Sequence, residues 1–195
     1  MKILIVPKIR EPYKNQIEIV VDIRLFNFFR KVFPKSKISF AFNKDIKQKY
    51  DLLILSGGNN LSKFSKTSHD KYRSKLDNFY LKYSIRKKIP IIGICHGAHF
   101  IANKYKCKIS KSLNHLKEHN IIFLNSQRKI SVNSYHNYII KRTGRDVLSI
   151  AVAEDKSIEL FKIINKKIYG IMWHPERYKK FKKVDIDFIK EFTCN

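Results

Sequence analysis

The chain has 195 residues, enough for one well-cored domain over 1–195 and cramped for two. Lys and Arg number 41 against 16 Asp and Glu, a net charge of +25 that favours anionic ligands and disfavours cationic ones. Its three cysteines, Cys95, Cys107 and Cys194, exclude a fully paired disulfide framework, and none has a partner at metal-ligand spacing, so a reducing compartment is expected.

The N-terminus offers a five-residue apolar run before Pro7, too short for a signal peptide or a membrane span. This predicts a cytoplasmic chain with no membrane association. "KILIVP" reads as a first strand, and "IVVDIRLFNFFRKVF" repeats apolar residues at helical spacing through Val21, Leu25, Phe28 and Val32, stopped by Pro34. Strands follow at 38–42 and 51–56, the second running into the tight turn "GGNN". A helix over 71–87 stripes Tyr72, Leu76, Phe79, Tyr80 and Tyr83, and Pro90 opens the strand "IIGI" at 91–94.

The second half reads as strands at 121–124, 130–135, 147–153, 157–164 and 168–173, closed by a helix over 184–192. Continuous apolar strands alternating with amphipathic helices predict an α/β fold: a mostly parallel sheet, helices on both faces, and an antiparallel extension. In such sheets ligands gather at the carboxyl ends of strands. The lysines are spread along the chain, and the densest clusters, 104–112 and 177–183, lack the interleaved aromatics of a single-strand platform. That argues against a nucleic-acid binder.

In "GICHGAH", Cys95 stands between Gly93 and Gly97 where a buried strand turns into a helix. Such an elbow tolerates only small neighbours. It also places the thiol at a helix N-terminus, where the dipole favours thiolate and the first N–H groups, His96 foremost, can face an oxyanion. The base candidate lies in "GIMWHPE", where His174 and Glu176 are two apart on an extended segment stiffened by Pro175, so that both project to one side. A second oxyanion donor is expected from Gly58 in "LSGGNN". His115 and His119, in "LNHLKEHN", would share one helix face, but the sequence shows no third ligand nearby, so no metal site is assigned.

The motifs "LSGGNN", "GICHGAH" and "GIMWHPE", in this order and spacing, resemble the class I glutamine amidotransferase family over most of the chain. The resemblance implies a flavodoxin-like fold, no cofactor, and a triad of Cys95, His174 and Glu176 that attacks a γ-glutamyl amide, forms a thioester and releases glutamate. "SVNSYHNY" and Trp173 are similar to the γ-glutamyl hydrolase-like branch; more narrowly, "LSGGNNLSKF", "NSYHNY" and "YGIMWH" are similar to the γ-glutamyl-CDP-amidate hydrolases of capsule phosphoramidate biosynthesis. From this resemblance the substrate residues would be Gly57, Asn59, His99, Asn133, Ser134, Tyr135 and His136. His99 departs from the family pattern, which places Gln four residues after the nucleophile. The expected partner is a small anionic γ-glutamyl conjugate; the alternative is a glutaminase subunit feeding ammonia to a partner synthase.

Overall fold

The computed structural model describes residues 1–46, 48–112 and 114–194. Five parallel strands form the centre: β1 (Lys2–Val6), β4 (Lys37–Phe40), β5 (Leu52–Leu55), β6 (Ile91–Ile94) and β13 (Ile168–Ile171), in the spatial order β4-β1-β5-β6-β13. This is the flavodoxin-like order, in which the connections reverse direction between β1 and β5. β1, β5 and β6 are apolar runs buried on both faces, as a parallel sheet between helices requires.

The sheet continues antiparallel through β12 (Ile158–Ile163), β11 (Val147–Ala153), β8 (His119–Phe123) and β9 (Lys129–Val132). Two short strands, β7 (Lys108–Lys111) and β10 (Tyr138–Arg142), pair with each other beside β12. Neither is visible in the apolar pattern. The strand expected over 130–135 stops at Val132, because Asn133 turns away to bond another segment.

A second departure lies early in the chain. β2 (Lys8–Tyr13) and β3 (Gln16–Val20) form a separate hairpin whose turn places Asn15 at φ 68°. The helix read from residue 19 therefore begins only at Ile23, where the Asp22 side chain accepts a bond from the Arg24 N–H. This α1 (Ile23–Val32) buries Leu25, Phe28, Phe29 and Val32, while Val21 is exposed.

α2 (Ser68–Arg86) buries Leu76 and Tyr80, but its inward face also carries Asp70, Arg73 and Asp77. α3 (His96–Lys104) follows β6 directly, and α4 (Lys183–Cys194) closes the chain. Among the described residues no helix is long and apolar enough to cross a membrane.

Candidate active site

The two glycines around Cys95 are explained by packing. A Cβ on Gly97 would stand 2.0 Å from the Leu55 carbonyl oxygen, and one on Gly93 would stand 2.5 Å from the Gly97 carbonyl carbon. Only glycines let α3 press this closely onto β5 and β6. Cys95, between them, is held at φ 49°, ψ −98°, a strained conformation for a residue with a side chain. His96 is the first residue of α3, so its N–H has no acceptor within the helix.

His174 arrives from the end of β13. The expected extended segment is instead a single 3-10 turn, Pro175–Arg177, and it still brings Glu176 Oε1 to 2.6 Å from His174 Nδ1. Both side chains are buried. Burial opposes charge on His174, but the facing Cys95 and Glu176 outweigh it and raise the imidazole to about 9. Gly57 makes room for this ring, since a Cβ there would lie 2.6 Å from His174 Cε1. Gly58 follows at φ +100°, a conformation that favours glycine.

The turn 56–60 is fixed by a buried network that the sequence alone does not reveal. Arg73, fully buried, donates to the Ser56 carbonyl at 2.7 Å, to the Pro7 carbonyl at 2.8 Å and to Asp77 Oδ1 at 2.9 Å. Asp77 Oδ2 meets His96 Nε2 at 2.9 Å, and His96 Nδ1 lies 2.9 Å from the Asn59 carbonyl. Although burial works against its charge, Arg73 and His96 hold the Asp77 carboxyl below the usual carboxylate range. The signal for it in the sequence is the spacing of Asp70, Arg73 and Asp77, one polar stripe on a helix face whose apolar residues dominate the pattern.

Three of the expected substrate residues, Asn59, Asn133 and Ser134, have side chains bonded to the protein's own backbone. Asn59 exchanges two bonds with the Ile9 backbone, at 3.0 and 2.9 Å, and donates to Asp70 at 2.9 Å, so its amide ties the turn to β2. Asn133 brackets the His174 backbone, accepting from its N–H and donating to its carbonyl, both at 2.8 Å. Ser134 bonds the His115 carbonyl. Asn133 and Ser134 therefore position the site without lining it; Tyr178, whose hydroxyl accepts from the Asn133 N–H at 3.0 Å, supports them.

The cleft over Cys95 is lined by Gly58, Asn59, His99, Tyr135, His136 and His174 among others. His99 is pushed down to about 3, by burial first and by His136 second, and is neutral in ordinary conditions. Its Nε2 sits 3.0 Å from the Tyr138 carbonyl, which can only accept, so Nδ1 is left with a lone pair. At the mouth, the Arg177 guanidinium lies 5.0 Å from the ring centroid of the exposed Tyr135. Phe64 stacks on Tyr138 at 4.3 Å, with the Lys63 ammonium 4.6 Å from the Phe64 centroid.

The family model of glutamine amidotransferase class-I matches residues 17–191. The chain is 35% identical over 162 residues to a gamma-glutamyl-CDP-amidate hydrolase of Campylobacter jejuni, covering 83% of this chain and 78% of the relative. It is 31% identical over 140 residues to a glutamine-hydrolyzing GMP synthase subunit of Picrophilus torridus, covering 68% of this chain and 70% of that one. A glutamine amidotransferase structure from Thermotoga maritima superposes with a TM-score of 0.68 at 16% identity, covering 97% of this chain and 82% of that one, a likeness of fold alone.

Proposed function

The chain belongs to the class I glutamine amidotransferases, and on that premise we propose that it is a hydrolase that cleaves the γ-glutamyl amide bond of a small anionic conjugate. One observation carries this reading: a buried imidazole set between the strained Cys95 and Glu176, whose Oε1 lies 2.6 Å from His174 Nδ1. That arrangement lets His174 take the thiol proton as Cys95 becomes the nucleophile.

Cys95 Sγ attacks the amide carbon, and the oxyanion that forms faces the backbone N–H groups of His96 and Gly58. The His174 imidazolium gives its proton to the leaving nitrogen as the C–N bond breaks, leaving a thioester. His174, now neutral, takes a proton from water as the hydroxyl adds to the thioester carbon; collapse expels the Cys95 thiolate and releases glutamate. Glu176 keeps Nδ1 protonated and aimed through both halves. The lone pair on His99 Nδ1 would accept from the substrate's α-ammonium, a role a glutamine side chain could fill with its carbonyl.

The leaving group is a nucleotide amidate in this reading. Support comes from the relative named gamma-glutamyl-CDP-amidate hydrolase, and from the cations at the mouth of the cleft, Arg177 over Tyr135 and Lys63 over Phe64, which suit phosphates. The second reading, a glutaminase subunit, is favoured by the relative that belongs to a GMP synthase.

Glutamate release by the purified chain, assayed with a γ-glutamyl nucleotide amidate and with glutamine, separates them. Turnover of the amidate without a partner, abolished in Cys95→Ala, is expected. Turnover of glutamine only, and only when a synthase is added, would replace the hydrolase with the glutaminase.

A further inference from the structure

Behind the substrate cleft, four side chains from distant parts of the chain converge on one buried point. Glu159, fully buried on β12, faces His115 Nδ1 at 3.3 Å, His119 Nε2 at 3.6 Å and His136 Nε2 at 3.6 Å. Among the described residues, neither carboxylate oxygen of Glu159 and none of these three nitrogens has a hydrogen-bond partner. The ligand atoms of His115, His119 and Glu159 all lie within 4.8 Å of one another. The expected shared helix face for His115 and His119 is corrected here. His119 opens β8 and His115 lies in the turn before it, their rings 4.7 Å apart, and the third group comes from a strand about 40 residues away.

The far nitrogen of each ring is already committed. His115 Nε2 lies 3.0 Å from Asp155 Oδ2, His119 Nδ1 3.3 Å from the Lys117 carbonyl, and His136 Nδ1 2.8 Å from the Tyr138 carbonyl. All three partners accept only, so each ring donates outward and a neutral ring would turn a lone pair inward. Lone pairs facing a carboxylate across a buried point repel unless a cation stands between them. Protonating the rings would answer this only by placing their charges side by side in the interior, which burial opposes. A divalent ion answers it with neutral rings.

The outward bonds, one of them the carboxylate–histidine arrangement of Asp155 and His115, are those that orient imidazoles on a metal. The spacing agrees as well. Ligands about 2.0–2.1 Å from a tetrahedral zinc stand roughly 3.3–3.4 Å from each other, against the 3.3 and 3.6 Å separations found.

We propose that His115, His119 and Glu159, with His136 completing the set, bind one divalent transition-metal ion of the zinc class. The role is structural. His136 belongs to the segment that carries Asn133, the bracket on His174, and Ser134 and His136 both bond the His115 carbonyl through their hydroxyl and N–H. The ion would pin that segment to β8 and β12 from behind.

The test uses the full chain, stripped with a chelator and then given zinc or cobalt. One ion per chain is expected, with the visible absorption of four-coordinate cobalt and a melting temperature raised by roughly 5–10 °C at zinc about 100-fold above its dissociation constant. His119→Ala, at the least buried ligand, and Glu159→Gln should each weaken binding by at least about 10–100-fold while circular dichroism reports a folded chain. Cys95→Ala, which removes the thiol that could compete for zinc, should bind unchanged. Absence of stoichiometric metal, binding retained in both ligand variants, or binding lost in Cys95→Ala would overturn the site, whatever the protein's activity proves to be.

Discussion

His174 is where burial and local charge oppose each other, and the local charges win. A raised imidazole contributes stability that is fully present below its unfolded value of 6.5 and is lost as pH rises through about 9. In the proposed mechanism the same proton serves the leaving nitrogen, so the rate of acylation should fall as pH rises through about 9. Glu176→Gln removes one of the two groups that raise the imidazole and frees it to adopt the wrong tautomer. The expected result is a drop in kcat on the order of 10²–10⁴, with the alkaline limb of kcat/KM displaced to lower pH. A pH profile of the variant checks this, and an unmoved limb would show that Glu176 does not act on His174. The residues of the proposed triad are legible in the sequence because each depends on a local demand: a glycine-framed elbow, or two residues joined by a proline. Asn133 is illegible for the opposite reason. An amide that will bind a ligand and one that will bracket a backbone 41 residues away look alike until the chain is folded.

At the scale of elements, strongly periodic segments are readable and charged or short ones are not. The hairpin 8–20 alternates exposed charges with few apolar residues and contains Pro12, so its only signal is Asn15 in a left-handed turn. α4 is plain in the apolar pattern, yet one charge in its first turn carries a meaning that the pattern hides. Asp185 is buried against Trp173, whose Nε1–H donates to Oδ1 at 3.1 Å, and Oδ2 has no hydrogen-bond partner among the described residues. Burial above all pushes its carboxyl up to about 6. A folded value above the unfolded 3.8 means that this group supports the fold in its protonated form, and that the support is lost as pH rises through about 6. At neutral pH the charge therefore costs as much as roughly 3 kcal/mol. Asp185→Asn keeps the acceptor for Trp173 and removes the charge, so the melting temperature at pH 7 should rise by about 2–8 °C, with little gain at pH 4. A lower melting temperature at pH 7 would show that Asp185 is stabilised by its charge.

For the whole molecule, the strand order decides which motifs meet. The parallel order β4-β1-β5-β6-β13 sets the carboxyl ends of β5, β6 and β13 side by side, so segments near residues 57, 95 and 174 form one cleft although more than 100 residues separate the first from the last. The net charge of +25 acts over the same scale. Its lysines form no stacking platform, but their summed field should draw the proposed nucleotide-linked substrate toward a mouth that already carries Arg177 and Lys63. Salt at about 0.1 M screens exposed charges beyond roughly 10 Å, and at about 1 M beyond roughly 3 Å. Raising ionic strength across that range should therefore lower kcat/KM for an anionic γ-glutamyl conjugate by about 10-fold or more, chiefly through KM. Any turnover of free glutamine, whose net charge is near zero, should change by less than about twofold. Parallel salt titrations of the two substrates decide the point: equal loss on both would trace the effect to the protein's own stability, and would leave the basic surface without a part in substrate capture.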